Sequence, residues 1–212
     1  MRIFRGLGDD WGSAMCLQTY GNFLTAKDPL RARELATEAV EIAHRLGERW
    51  VMQQALSAVA LVDLDSGELS EARQVLEQGA ALALELNDVF NVSTKLVRLA
   101  QLEMDECRFA RALDLYARCV SNYRLIGNRL RLALVLHDAG VAARLEGAAD
   151  RALPAFEESL ALYLSFGQVG GVAAVRASLG HLYLQQEAIP EAAAEIKQSL
   201  EELRRDGTGV SR

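Results

Sequence analysis

The sequence predicts an all-α repeat fold, a solenoid of about five helical hairpins of some 40 residues each. Three observations predict it. A short motif returns along the chain as "RGLGDDW" at 5–11, "HRLGERW" at 44–50, "LELNDVF" at 84–90, "RLIGNRL" at 124–130 and "LSFGQVG" at 164–170. The composition is 50% apolar, 6% aromatic and 25% charged, with Ala and Leu dominant, which suits helices better than sheets or disordered chains. Within every interval a small residue also falls at the same two or three places. Self-similarity at a fixed period is the mark of stacked repeats, each of which buries its apolar face against the next.

The motif is anchored on Gly8, Gly47, Asn87, Gly127 and Gly167, at intervals of 39, 40, 40 and 40 residues. Gly and Asn enter the left-handed conformation most readily, so these positions are expected to end helices and join one hairpin to the next. A phosphate-binding loop is excluded, because no GxGxxG or GxxxxGK follows any of them. The first helix of each unit then carries an apolar–small pair: Tyr20-Gly21, Val59-Ala60, Leu99-Ala100, Ala139-Gly140 and Leu179-Gly180. Gly costs about 1 kcal/mol of helix propensity, so a closely packed neighbour is expected there.

A break follows at "AKDP" 26–29, "DSGE" 65–68, "DECR" 105–108, "LEGA" 145–148 and "QQEA" 185–188. The second helix opens near Pro29, Ser70, Asp150 and Pro190. It carries Ala32, Ala72, Ala112, Ala152 and Ala192, then a small-residue slot at Ala39, Gly79, Cys119, Ser159 and Ser199. One residue fewer in the first turn accounts for the interval of 39. The boundaries this implies are a single repeat domain over 1–206, with units near 8–46, 47–86, 87–126, 127–166 and 167–206. Residues 1–7 read as the tail of a preceding helix, and 207–212 as a flexible tail.

The small residue on the first helix, the Ala of the second, the aromatic four places later and the small slot resemble the tetratricopeptide (TPR) repeat. "LAQLEMDECRFARALDLYARC" at 99–119 and "AGVAARLEGAADRALPAFEES" at 139–159 carry it best. The period is about 40 rather than 34, and the usual closing proline is missing. The resemblance implies a right-handed TPR-like α-solenoid. Units of this length ending "LG(D/E)" before an aromatic look like the TPR regions of bacterial LuxR-type and SARP-type activators built on a STAND ATPase, and less closely like peptide pheromone receptors. It implies a superhelix that senses or docks a partner.

Charge and motifs narrow the function. The net charge is −6, the basic residues are dispersed, and all but Lys27, Lys95 and Lys197 are Arg, so direct nucleic-acid binding is not expected. No apolar run is long enough to span a bilayer and no secretory h-region opens the chain, which points to a cytoplasmic protein without a membrane role. No HExxH, GxSxG, Walker A or CxxC string occurs, so neither enzyme, metal nor cofactor is expected.

What remains is the inner face lined by first helices. Register puts Gln18, Asn22, Asp65, Gln101, Asp105, His137, Arg144 and His181 there as candidate partner-binding residues, among Met15, Gln54, Ser57, Leu61, Thr94, Val97, Leu134, Val141, Ala174, Ala177 and Gln185. Amides suit a peptide backbone, and the Asp-bearing early half and cationic later half suit orientation of a peptide or protein ligand. His137 and His181 without a third ligand make a poor metal pair. The alternative is self-assembly, a homodimer through the open N-terminal hairpin.

Overall fold

The computed structural model describes the backbone of residues 2–208 and the side chains of residues 3, 4 and 6–204. These residues form α1 (Arg2–Leu7), α2 (Asp10–Leu24), α3 (Pro29–Leu46), α4 (Arg49–Ser66), α5 (Leu69–Glu85), α6 (Val89–Asp105), α7 (Phe109–Leu125), α8 (Arg129–Glu146), α9 (Ala149–Ser165), α10 (Val169–Gln185) and α11 (Ile189–Thr208), with no strand among the described residues. The fold is an all-α repeat fold of helical hairpins, α2–α3 being the first and α10–α11 the last. The helix α11 runs on through Gly207 to Thr208, and the remainder of the expected C-terminal tail, 209–212, lies outside the described residues.

Two compact units make up the chain, Met1–Leu102 and Glu103–Arg212. In the first, α3 packs on α2 and α4, α5 packs on α4, and α2 also touches α4. Leu17, Leu35, Ile42 and Val51 are its early core. In the second, α8 packs on α7 and α9, and α10 packs on α9 and α11. Tyr116, Tyr123, Phe156 and Leu182 are fully buried there.

The turns explain the period. Gly8, Gly47, Asn87, Gly127 and Gly167 all take positive φ, between 54° and 68°, as the motif requires. The turns inside the hairpins do the same at Gly67, Cys107, Gly147 and Glu187. In most of these turns an amide two or three residues past the helix reaches back to the fifth preceding carbonyl, as Asn128 N to Tyr123 O at 3.0 Å and Ala148 N to Ala143 O at 2.8 Å. This is the Schellman closure, which satisfies otherwise orphaned carbonyls. The α2–α3 turn differs: Asp28 N returns to Leu24 O at 2.8 Å, with no left-handed residue, so this closure spans four residues where the others span five.

Several start signals shift. Asp28 caps α3 by accepting from Arg31 N, with Pro29 as its first residue. Ser70 and Asp150 lie inside the first turns of α5 and α9, whose caps, Glu68 and Ala148, make no side-chain hydrogen bond.

The small residues mark close crossings. A Cβ on Gly140 would stand 2.6 Å from the fully buried Phe156 ring, and one on Gly180 would stand 2.7 Å from Ile196. In the small slot, Ser159 Oγ donates to Ala133 O at 2.7 Å and Ser199 Oγ to Ala173 O at 2.8 Å, so a hydroxyl stitches second helix to first. Paired charges repeat the theme: Arg124 grips Glu158 and Arg176 meets Glu195 at 2.9 Å. The terminal helix is less polar than its charge content suggests, since Ile189, Leu200 and Leu203 are exposed on it.

Candidate functional site

The first unit holds a cavity of about 280 Å³ whose walls come from successive first helices. Gln18 and Asn22 reach it from α2, Gln54, Ser57 and Leu61 from α4, and Asn91, Thr94, Lys95 and Arg98 from α6, while Leu76 of α5 closes one side. Helical spacing puts these groups together. Residues 18 and 22, then 54, 57 and 61, then 91, 94, 95 and 98 are three or four apart and share one face of each helix. The lining is rich in amides and hydroxyls, with aliphatic patches from Leu61 and Leu64 and no carboxylate. Gln18 Oε1 is buried and has no hydrogen-bond partner among the described residues.

Lys95 stands out in this wall. It is only 3% exposed, its stem lying over Gly79 of α5, where a Cβ would meet Lys95 Cε at 3.3 Å. The ammonium has one hydrogen bond, to Asn91 Oδ1 at 3.3 Å. Burial holds the Lys95 amine down at about 8, opposed by the nearby Asp88 carboxylate. Asp88 caps α6, accepting from Asn91 N at 3.0 Å and from Asn91 Nδ2 at 2.7 Å. Burial pushes its carboxyl up, but these hydrogen bonds and the Lys95 charge outweigh that and hold it below the ordinary range.

The other predicted positions distribute differently. Gln101 is half-buried further along α6 and accepts from Arg98 Nη1 at 3.3 Å. Asp65 is exposed near the end of α4, outside the cavity wall. In the second unit Asp105 and His181 are exposed, whereas Arg144 is half-buried, with a buried Nε lacking a hydrogen-bond partner among the described residues. His137 links α8 to α10: its Nε2 lies 2.8 Å from Ser178 Oγ and its ring 5.9 Å from Phe156. Burial lowers its pKa, so it is a neutral imidazole near pH 7. Beside it, burial pushes the Asp138 carboxyl up to about 6, and its Oδ1 lies 3.9 Å from His137 Nδ1.

Register did not single out Lys95, Asn91, Arg98 or Asp138. A lysine opposite the small-slot Gly79, in a chain whose cations are nearly all Arg, was the available signal for Lys95.

Outside these groups, Trp11 and Trp50 stack with centroids 6.4 Å apart and 13° between planes, both partly exposed. They therefore pack on each other. Trp11, Met15, Tyr20 and Phe23 form with Phe4 an exposed apolar cleft at the N-terminal end. Cys119 is buried and its thiol pushed up to about 12, while Cys107 is exposed in its turn. Among the described residues no group of three His, Cys, Asp or Glu could hold a metal ion, and no helix is long and apolar enough to cross a membrane.

Comparison with known proteins accords with this geometry. Residues 91–165 match the family described as tetratricopeptide repeat, a stretch that includes the whole of α7, α8 and α9. No curated protein matches the sequence. Among solved structures, the chain is similar to a putative kinesin light chain with nearly identical TPR-like repeats from Podosopora anserina (16% identity, 92% of this chain and 96% of that one, TM-score 0.78). It is also similar to aspartyl phosphate phosphatase F of Bacillus subtilis (12% identity, 92% and 60%, TM-score 0.75). A third likeness is to a STAND protein with a tetratricopeptide repeat sensor from Pyrococcus horikoshii (9% identity, 90% and 30%, TM-score 0.80). At these identities the likeness is one of fold: the chain has the TPR-like helical-repeat architecture.

Proposed function

We propose that this protein is a non-enzymatic protein- or peptide-binding scaffold, the sensing or docking region of a bacterial signalling or transcription regulator, acting in the cytoplasm. The observation that carries the reading is the convergence of amide and hydroxyl side chains from α2, α4 and α6 on one cavity of the first unit. A site of mixed amide and aliphatic lining suits an extended peptide, whose backbone takes the amides and whose side chains take the apolar patches. In the second unit, Asp105, Arg144 and His181 are proposed partner-binding residues of that unit by itself. His137 belongs to it as a half-buried element tied to Ser178. The regulator context draws support from the TPR sensor of the Pyrococcus horikoshii STAND protein, whose fold this chain shares.

The test is selection of binders from a displayed peptide library on the purified chain, followed by affinity measurement with variants. Asn22→Ala with Thr94→Ala, and separately Asp105→Ala with Arg144→Ala, should weaken selected peptides at least tenfold. Exposed or half-exposed substitutions of this kind should leave stability within about ±0.5 kcal/mol. Peptides that bind both double variants at parental affinity would move the site off this face.

A second reading, homodimerisation through the N-terminal hairpin, draws on the exposed Trp11, Tyr20 and Phe23. Sedimentation over a dilution series distinguishes it: a dimer abolished by Phe23→Ser supports it, and a monomer throughout refutes it.

A further inference from the structure

Two exposed apolar faces match the two sides of a contact that the hairpins of this chain make with one another. The first is on α11. Leu203 is 49% exposed, yet Ala43, Ala83, Tyr123 and Tyr163, at the same place in α3, α5, α7 and α9, are at most 8% exposed. Tyr163 shows what a residue at this place does. Its ring lies on Gly171 in the first turn of the next helix, where an added Cβ would stand 2.5 Å away. The second face is on α2. Phe23 is 63% exposed, whereas Val62, Leu102, Ala142 and Leu182, its counterparts in α4, α6, α8 and α10, are at most 1% exposed. With the exposed Trp11 and Tyr20 it flanks Met15 and Cys16 in the apolar cleft beside α1. Single exposed apolar residues are ordinary, but a cleft and a helix stripe at places buried in the other hairpins are the two halves of an interface.

We propose that α11 of one copy docks in the α1–α2 cleft of another, so that copies of this chain join head to tail. A second copy is the occupant because it carries the matching surface in the matching register. Leu203 of one copy takes the seat on Gly12 of the next that Tyr163 takes on Gly171. Charge extends the match. Arg124 grips Glu158, 34 residues on, at 2.7 and 2.8 Å. Arg204 is the counterpart of Arg124 by the 40-residue period, and Glu38 of the next copy is the counterpart of Glu158. Within the chain the seat on Gly12 is held by Phe4, whose ring a Cβ on Gly12 would run into. But α1 has only six residues, with Ile3 and Leu7 exposed, so it is lightly held and docking displaces it. Cleft and helix are different surfaces, so the contact is heterologous and each joined pair still offers one of each. The inference does not rest on the peptide-binding reading. It shares its cleft with homodimerisation through the N-terminal hairpin and differs in requiring α11.

Sedimentation velocity over a dilution series of the full chain tests it, with circular dichroism to check that each variant folds. Phe23 and Leu203 are exposed, so Phe23→Asp and Leu203→Asp fall outside the cores. The parent is expected to form species larger than a dimer as its concentration rises. Phe4→Ala, which frees the seat on Gly12, should do so at severalfold lower concentration. Phe23→Asp alone and Leu203→Asp alone should each be monomeric. Mixed in equal amounts they should give a 1:1 dimer and nothing larger, since the first keeps its α11 and the second keeps its cleft. Association that survives Leu203→Asp overturns the proposal and leaves dimerisation through the N-terminal hairpin standing. Association that survives Phe23→Asp, or a mixture that stays monomeric, also overturns it. So does a Phe4→Ala variant that associates no more strongly than the parent, or a parent and Phe4→Ala that are both monomeric at every concentration.

Discussion

Two glycines on first helices should respond to the same substitution with opposite sign. Gly140 faces Phe156: an added methyl would stand 2.6 Å from two ring carbons and 3.0 Å from a third, against an ordinary carbon separation of about 3.5–4.0 Å. The overlap is about 1 Å, and the ring is 0% exposed, so it has no solvent to swing into. Overpacking of a close-packed core costs about 1–3 kcal/mol, and Ala regains up to about 1 kcal/mol of helix propensity. With the ring trapped, the cost falls in the upper part of its range, and Gly140→Ala should lose about 1–2 kcal/mol. Gly170, in the first turn of α10, has nothing within 4 Å of a new methyl, so Gly170→Ala should gain about 0.5 kcal/mol. Urea unfolding followed by far-UV circular dichroism reads both, with hydrogen exchange in α8 and α9 as the local probe, because repeat proteins lose cooperativity along their length. Phe156→Leu in the Gly140→Ala background should recover at least 1 kcal/mol relative to the sum of the single changes. Gly140→Ala as stable as the parent would refute the register assigned to α8 against α9.

Other consequences follow from the turns, the buried acid and the stitched slot. Cys107 and Glu187 hold left-handed conformations at φ 57° and 59°, so replacement of either by Gly should stabilise by about 0.5–1 kcal/mol in chemical denaturation. Asp138 has a folded pKa raised to about 6, above its unfolded value of about 3.9, so its contribution is present at low pH and lost as pH rises from about 4 through 6. Asp138→Asn should remove that slope and stabilise by about 1–2 kcal/mol at pH 7. The buried neutral His137 acts in the opposite direction as pH falls below about 6.5. Ser159→Ala should cost about 1 kcal/mol, since it removes a buried hydrogen bond to the Ala133 carbonyl, and an unchanged melting temperature would show that this bond contributes nothing to stability.

Much of the fold was legible because helix ends and close crossings have narrow chemistry. Gly8, Gly47, Asn87, Gly127 and Gly167 could be read as left-handed because few other residues go there cheaply. The hairpin turns at Cys107 and Glu187 use the same geometry with residues that do not advertise it, so they read as unstructured breaks. The inner register placed Gln18, Asn22, Gln54, Ser57, Leu61 and Thr94, which line the cavity, along with Met15 and Val97, which do not. It did not reach Lys95, one position on from Thr94, because that burial depends on the space left by Gly79 on a different helix. His137 was read as a surface group for a similar reason: its partner Ser178 comes from α10, 41 residues on, and spacing within one helix is silent about it. Asp65 sits at a helix end, where the regular register no longer decides which way a side chain faces.

The most direct measurement of the central claim is an amide chemical-shift map of the full chain with the tightest library-selected peptide. The account predicts that Gln18, Asn22, Gln54, Ser57 and Thr94, from α2, α4 and α6, shift together and saturate at one affinity, and that exposed Glu41 of α3 and Glu77 of α5 stay in place. Saturating shifts centred on α3 and α5, with the cavity residues unmoved, would contradict it.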